Sequence, residues 1–287
     1  MTPLPHAAGP FDGVALRRLT LMVAVLDDVD LDPGDAGIVL RGSGLPLSLT
    51  WGELREAVGH EDEQTARVRL LRHLRVRRIL ADATAEDLAL RLRPVGYAVD
   101  HPHHPGRGWV QEAVLGGALD LGYGVAGLGK DPDAVEVLPA SACAAAGVRL
   151  DDAWPGARRY LERMGVVAAE RLLSSGTSVL RPMGDCDVVT LLGARSWRVA
   201  VAAADGTGMR GVAVPMRQRG WLDLRRVDPA FVAAAAQATD VAERGFSRPL
   251  LVTADEVVLP RPSERLAALD LRDPAPSSYG RRPVRWR

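Results

Sequence analysis

The sequence predicts an α+β fold: a mostly helical N-terminal region, then a largely antiparallel sheet packed with helices. Three observations carry this expectation. Apolar residues between Glu63 and Ala81 recur at helical spacing. Two apolar runs, Trp197 to Ala204 and Met209 to Met216, flank Asp205-Gly206-Thr207-Gly208. An Asp-Gly turn between such runs favours a hairpin, because the turn requires positive φ. Strands and helices do not alternate in a regular βαβ rhythm.

The N-terminal elements follow from local chemistry. Val14 to Leu26 is apolar but interrupted by Arg17 and Arg18, so helix and strand both remain open. Pro33-Gly34 breaks the chain, and Gly37 to Arg41 suits a short strand. Thr50-Trp51-Gly52-Glu53 has capping-box spacing, which opens a helix to about Val58. In the next helix Val68, Leu71, Leu74 and Ile79, with Leu70 and Leu80, trace one side. Thr84 to Asp87 starts another, carried on by Leu88 to Leu92 and stopped by Pro94.

Asp100 to Gly108 reads DHPHHPGRG, and its prolines and glycines disfavour regular structure. It is expected to be a solvated linker and sets a boundary near Pro105. The implied organisation is a helical region over 1–105, an α+β domain with the hairpin over 106–260, and an Arg/Pro-rich tail over 261–287.

In the second half, Trp109 to Leu115 suits a short helix, while Ala118 to Val125 and Val135 to Leu138 suit extended chain. A long helix is expected over Trp154 to Ser174, capped by Asp151 or Asp152, with Pro155 in its first turn. Val188 to Leu192 reads as a strand beside the hairpin. Asp228-Pro229 starts a helix running to about Thr239. Leu250 to Thr253 and Val257 to Leu259 form a last pair of strands around Asp255.

Composition narrows the function classes. The 36 basic and 36 acidic side chains cancel, so net charge pulls towards neither nucleic acid nor membrane. Two cysteines cannot build a disulfide scaffold. No apolar run approaches the roughly 20 residues of a membrane helix, and Met1 to Asp12 lacks the pattern of a secretory signal. A cytoplasmic, reduced protein is the expectation. Lys130 is the only lysine, and the excess of Arg, Ala, Gly and Val matches the coding of GC-rich bacteria. The six Trp are scattered and read as packing anchors.

Four stretches hold candidate chemistry. Gly122, Gly124 and Gly127 have the spacing of a dinucleotide fingerprint, which needs a strand, a tight turn and a helix N-terminus. Gly124, Gly129 and Lys130 nearly complete a phosphate loop, but Asp131 stands where a Mg²⁺-binding hydroxyl belongs. Close backbone packing explains these glycines more simply. His101, His103 and His104 are imidazole donors for zinc, copper or nickel, although their setting favours a solvated linker. Asp185, Cys186 and Asp187 are the weak catalytic candidates. Flanking carboxylates oppose thiolate formation, so a turn with Cys186 tucked inward is favoured.

Arg67, Arg69, Arg72, Arg75, Arg77 and Arg78 lie on one helical stretch that suits a solvated face better than a DNA-reading helix. The leading expectation is therefore association with another protein or with a second copy. An enzyme or binder using the Gly122–Lys130 loop, with Asp185 and Asp187, comes second. A DNA-binding regulator using the Arg67–Arg78 helix comes third. The cofactor is left open, a nucleotide at the Gly122–Lys130 loop being the one the second reading would take.

Overall fold

A computed structural model describes residues 11–41, 45–59, 62–106, 108–128, 134–222, 227–255 and 257–258. The fold is α+β, with antiparallel sheets and helices packed against them. Among the described residues no helix is long and apolar enough to cross a membrane.

The N-terminal unit opens with α1 (Gly13–Leu26), capped by Asp12. That settles the Val14–Leu26 ambiguity as helix, with Leu16, Leu19, Thr20 and Val23 forming its buried side. A small antiparallel sheet of β1 (Leu31–Pro33), β2 (Gly37–Leu40) and β3 (Leu47–Thr50) follows. The Thr50/Glu53 capping box opens α2 (Trp51–Val58) as the sequence predicts. α3 (Glu63–Asp82), capped by Asp62, joins two cores. Its first half buries Ala66, Leu70 and Leu74 against α1, α2 and β2, while Val76 and Ile79 pack with Leu88, Tyr123 and Val125. At about 1.5 Å per residue a helix of this length reaches roughly 30 Å, enough to span both.

α4 (Ala85–Arg91), capped by Thr84, runs directly into β4 (Leu92–Ala98). The second sheet has β6 (Leu119–Ala126) at its centre, with β4 along one edge. β5 (Val110–Val114) and β7 (Val135–Val137) share the other edge. Trp109 to Leu115 is thus largely strand rather than the expected helix. Half-buried Val110, Glu112 and Val114 alternate with exposed neighbours and pair with β6, which a five-residue run cannot reveal by itself. β4 and β6 flank the boundary drawn at Pro105, yet they pair from Leu92↔Val125 to Ala98↔Leu119, so this sheet draws on both sides of it.

α5 (Ala140–Ala145) leads to α6 (Leu150–Ser175). This long helix starts earlier than the sequence suggests, which leaves Pro155 beyond its first turn. After β8 (Val179–Leu180) come two corrections. Val188 to Leu192 is not a strand: it contains α7 (Val188–Leu191), whose cap Asp187 accepts from the Thr190 amide at 2.7 Å. Trp197 to Ala204 is not a hairpin arm either: it lies in α8 (Arg195–Ala203). Trp197, Arg198, Val201 and Ala202 bury one helical side, and Glu162 of α6 accepts from the Arg195 and Ser196 amides at the helix start.

The true hairpin pairs β9 (Met209–Met216) with β10 (Arg219–Trp221). β9 also pairs with β11 (Leu250–Thr253), which pairs with β12 (Val257–Val258), as the last strand pair was expected to do. β8 completes the five-stranded order β12-β11-β9-β10-β8. α9 (Pro229–Ala238) carries its proline in the first turn behind Asp228, as predicted. The largest core lies between this sheet, α6, α7, α8 and β6. The 261–287 tail lies outside the described residues.

Candidate functional site

Three parts of the chain meet at Tyr97 of β4. Beside it, the turn between β9 and β10 is held from both sides: the Arg217 amide donates to the Glu243 carbonyl, and the Arg217 carbonyl accepts from Val188 at the start of α7, each at 2.8 Å. This clamp buries the Arg217 side chain, which is 9% exposed. Its Nη2 lies 2.5 Å from Asp187, and its guanidinium carbon sits 4.3 Å from the centre of the Tyr97 ring. Burial opposes the Arg217 charge, but Asp187, Tyr97 and Glu243 outweigh it, so its pKa is raised and the group stays cationic. Nη1 is shielded and makes no hydrogen bond among the described residues.

Arg217, Tyr97, Asp185, Asp187 and Gln218 line a cleft of about 360 Å³. It adjoins a second lobe of about 440 Å³ along α3, and the two share Arg75, Tyr97, Val135, Glu136 and Ala242. Both signs of charge stand on the walls. Arg75 pairs with Glu136 at 3.1 Å, Arg67 with Asp27 at 2.9 Å, and Arg93 with Asp185 at 2.6 Å. Glu243 also lines the cleft, near enough to Arg217 to support its charge.

Of the predicted site residues, Asp185 and Asp187 do reach this cleft, as wall groups tied to arginines. Cys186 belongs to the largest core at 1% exposure. Burial first, then Asp187 and Asp185, push its thiol pKa up, so it is protonated at neutral pH, contrary to a nucleophile's needs.

The histidines are not a solvated linker. His101 is buried, and both His101 and His104 make T-shaped ring contacts with Tyr97, at centroid distances of 5.0 and 6.0 Å. His101 Nδ1 accepts from the His103 amide, His104 Nδ1 accepts from Gly106, and His104 Nε2 lies 3.2 Å from Asp120. Burial, then the charge on Arg217, lowers the His101 pKa to about 3; burial also lowers those of His103 and His104. Among the described residues no group of three His, Cys, Asp or Glu is arranged to hold a metal ion. His101 and His104 instead buttress Tyr97.

Gly122 and Gly124 lie inside β6, not in a phosphate-binding turn. A Cβ at Gly122 would run into the Trp109 ring, and one at Gly124 into Val95 and Val135. Gly127 closes the strand with φ 69°, and the next described element is β7, not a helix. Gly129 and Lys130 lie outside the described residues. The arginines of α3 are largely engaged: Arg72 donates to the His103 carbonyl, Arg77 and Arg78 pair with Glu53 and Asp82, and Arg67 and Arg75 are tied as above.

No family model, curated protein or solved structure matches this chain. The functional reading therefore rests on the cleft itself. Sequence reasoning missed Arg217, Tyr97 and Glu136. The one available signal for Arg217 was an arginine placed directly after the apolar run that ends at Met216.

Proposed function

We propose that this protein binds a small amphoteric metabolite, an amino acid or a close analogue, in the cleft between α3 and the two larger sheets. The observation that carries this is Arg217, a buried cation on the cleft wall with an unused donor at Nη1. An unmet buried donor costs about 1–3 kcal/mol, and a small shift of the guanidinium that brings Nη1 to a bound carboxylate recovers that. Asp185, Glu136 and Glu243, which line the same cleft, suit an ammonium group on the same ligand. Closely spaced walls of both signs disfavour a ligand of one charge.

Calorimetry with the common amino acids and with their carboxamides tests this. Binding is expected for a subset of the free acids and is lost in the carboxamides. Arg75→Ala, at the half-exposed rim, is expected to weaken binding without unfolding the protein. Failure of every amino acid to bind, or equal binding of the carboxamides, refutes the reading.

Association with a second copy of this chain is the other reading. The observation favouring it is α1, where Val14, Leu21, Val25 and Leu26 are exposed. A strictly monomeric mass at micromolar concentration counts against it.

A further inference from the structure

A second cavity shares no lining residue with the Arg217 cleft, and its chemistry is of one sign. α6 ends at Ser175, Gly176 adopts the left-handed conformation, and the chain returns through Thr177 into β8. Beneath this return is a hollow of about 470 Å³, within the roughly 300–1,000 Å³ typical of small-molecule sites. Its floor is apolar: Leu172, Leu180, Val188, Leu191 and Trp197, all buried core residues, with Met183 beside them. Its mouth carries Arg171 from the last turns of α6 and Arg181 from just after β8, both exposed.

Neither guanidinium has an ion pair or hydrogen bond among the described residues, unlike the arginines of the central cleft. No lining residue is acidic. The Thr177 hydroxyl accepts from the Val179 amide at 3.2 Å, which leaves its own proton to donate at the rim. The C-terminus of α6 contributes only about half a negative charge, less than the two full cations beside it.

We propose that this hollow binds an amphipathic carboxylate: an acyl chain on the Leu172–Trp197 floor, with its headgroup held between Arg171 and Arg181. Arginine suits this task because its planar fork meets a carboxylate with two parallel hydrogen bonds. The chain's own apolar surface, removed from water on entering the hollow, supplies affinity.

Calorimetric titration of the full chain with decanoate, below its micelle concentration, tests the proposal. Decanol and acetate serve as the chain without the charge and the charge without the chain. Saturable decanoate binding is expected, at least tenfold tighter than either control and weakened by added salt. The Arg171→Ser/Arg181→Ser double variant, altered only at exposed positions, is expected to lose tenfold or more. Thr177→Trp, which obstructs the mouth, is expected to abolish binding. Arg75→Ala in the other cleft is expected to leave decanoate affinity unchanged, which separates this site from the amphoteric one. Absence of decanoate binding at millimolar concentration, equal binding of decanol, unchanged affinity in the double variant, or sensitivity to Arg75→Ala overturns the assignment.

Discussion

Arg217 and Tyr97 are stacked, guanidinium over ring, with 4.3 Å from the guanidinium carbon to the ring centre. The same arginine neutralises Asp187, and Asp187 also caps α7 through the Thr190 amide. One buried cation thus ties β4, the β9–β10 turn and α7 together. Arg217→Met strands a buried carboxylate, so the expected loss is about 3–5 kcal/mol of unfolding free energy. Adding Asp187→Asn removes that stranded charge while keeping a good capping residue. Denaturant melts should therefore show the double variant more stable than Arg217→Met alone. Additive losses would show that the two residues do not act as a pair.

Acid should unfold this protein earlier than its carboxylates alone require. His101 has a folded pKa of about 3, set first by burial, against about 6.5 when unfolded. The unfolded chain therefore binds more protons between those values, and stability falls as pH drops through 6.5 towards 3. His73, His103 and His104 are lowered too and act in the same sense. Each such group contributes up to about 1.4 kcal/mol per pH unit. Urea midpoints measured from pH 8 to pH 4 should be flat above pH 7.5 and decline below about 6.5. His101→Gln should flatten that decline; an unchanged slope would contradict the burial of a neutral ring.

Glycines separate packing from helix propensity. Gly122→Ala drives a methyl group into the Trp109 ring and its carbonyl, at the centre of the second sheet. Overpacking of this sort costs about 1–3 kcal/mol or more, and the fixed strand on each side places it at the upper end. Gly156, in α6, has only the flexible Arg159 guanidinium near its Cβ position, at 4.0 Å. Gly156→Ala is expected to stabilise by about 0.5–1 kcal/mol. Opposite shifts in melting temperature are the expected result, and addition of ATP or NAD should not change the Gly122→Ala effect.

Neither thiol should be reactive in the native state. Burial pushes Cys143 up to about 11, and burial with two neighbouring carboxylates pushes Cys186 up further. Both are free and buried. Titration with an aromatic disulfide reagent at pH 8 should find no fast thiol in the folded protein and two after denaturation. Rapid native labelling of Cys186 would restore it as a candidate nucleophile.

Much of the local structure was readable from residues that act on their nearest neighbours. Thr50 with Glu53, Asp228 with Pro229 and the apolar side of α3 each specify a helix start or face within a few positions, and all three stand in the structure. The errors fell on short apolar runs. Val188–Leu192 and Trp197–Ala204 read as strands because they are rich in β-branched and apolar residues. Burial on several sides suits a helix equally well, and only Asp187 at one start and Glu162 at the other decide between them. Glu162 lies on a different helix, which no local pattern can show.

The cleft was legible in one part only. Asp185 and Asp187 drew attention as neighbours in sequence, and they do face the cleft. Arg217 and Tyr97 are distant in the chain, and their partnership exists because the β9–β10 turn is clamped between Glu243 and Val188. Sequence by itself determined the α+β class, the capped helices and the absence of a bias in net charge, since these depend on propensity, short-range hydrogen bonds and composition. Tertiary structure alone decided that two histidines of a proline-rich stretch pack on a tyrosine, that the glycines of β6 serve close contact, and that an arginine is buried with a donor to spare. Burial and desolvation depend on what folds against a residue, and that is settled by contacts far away along the chain.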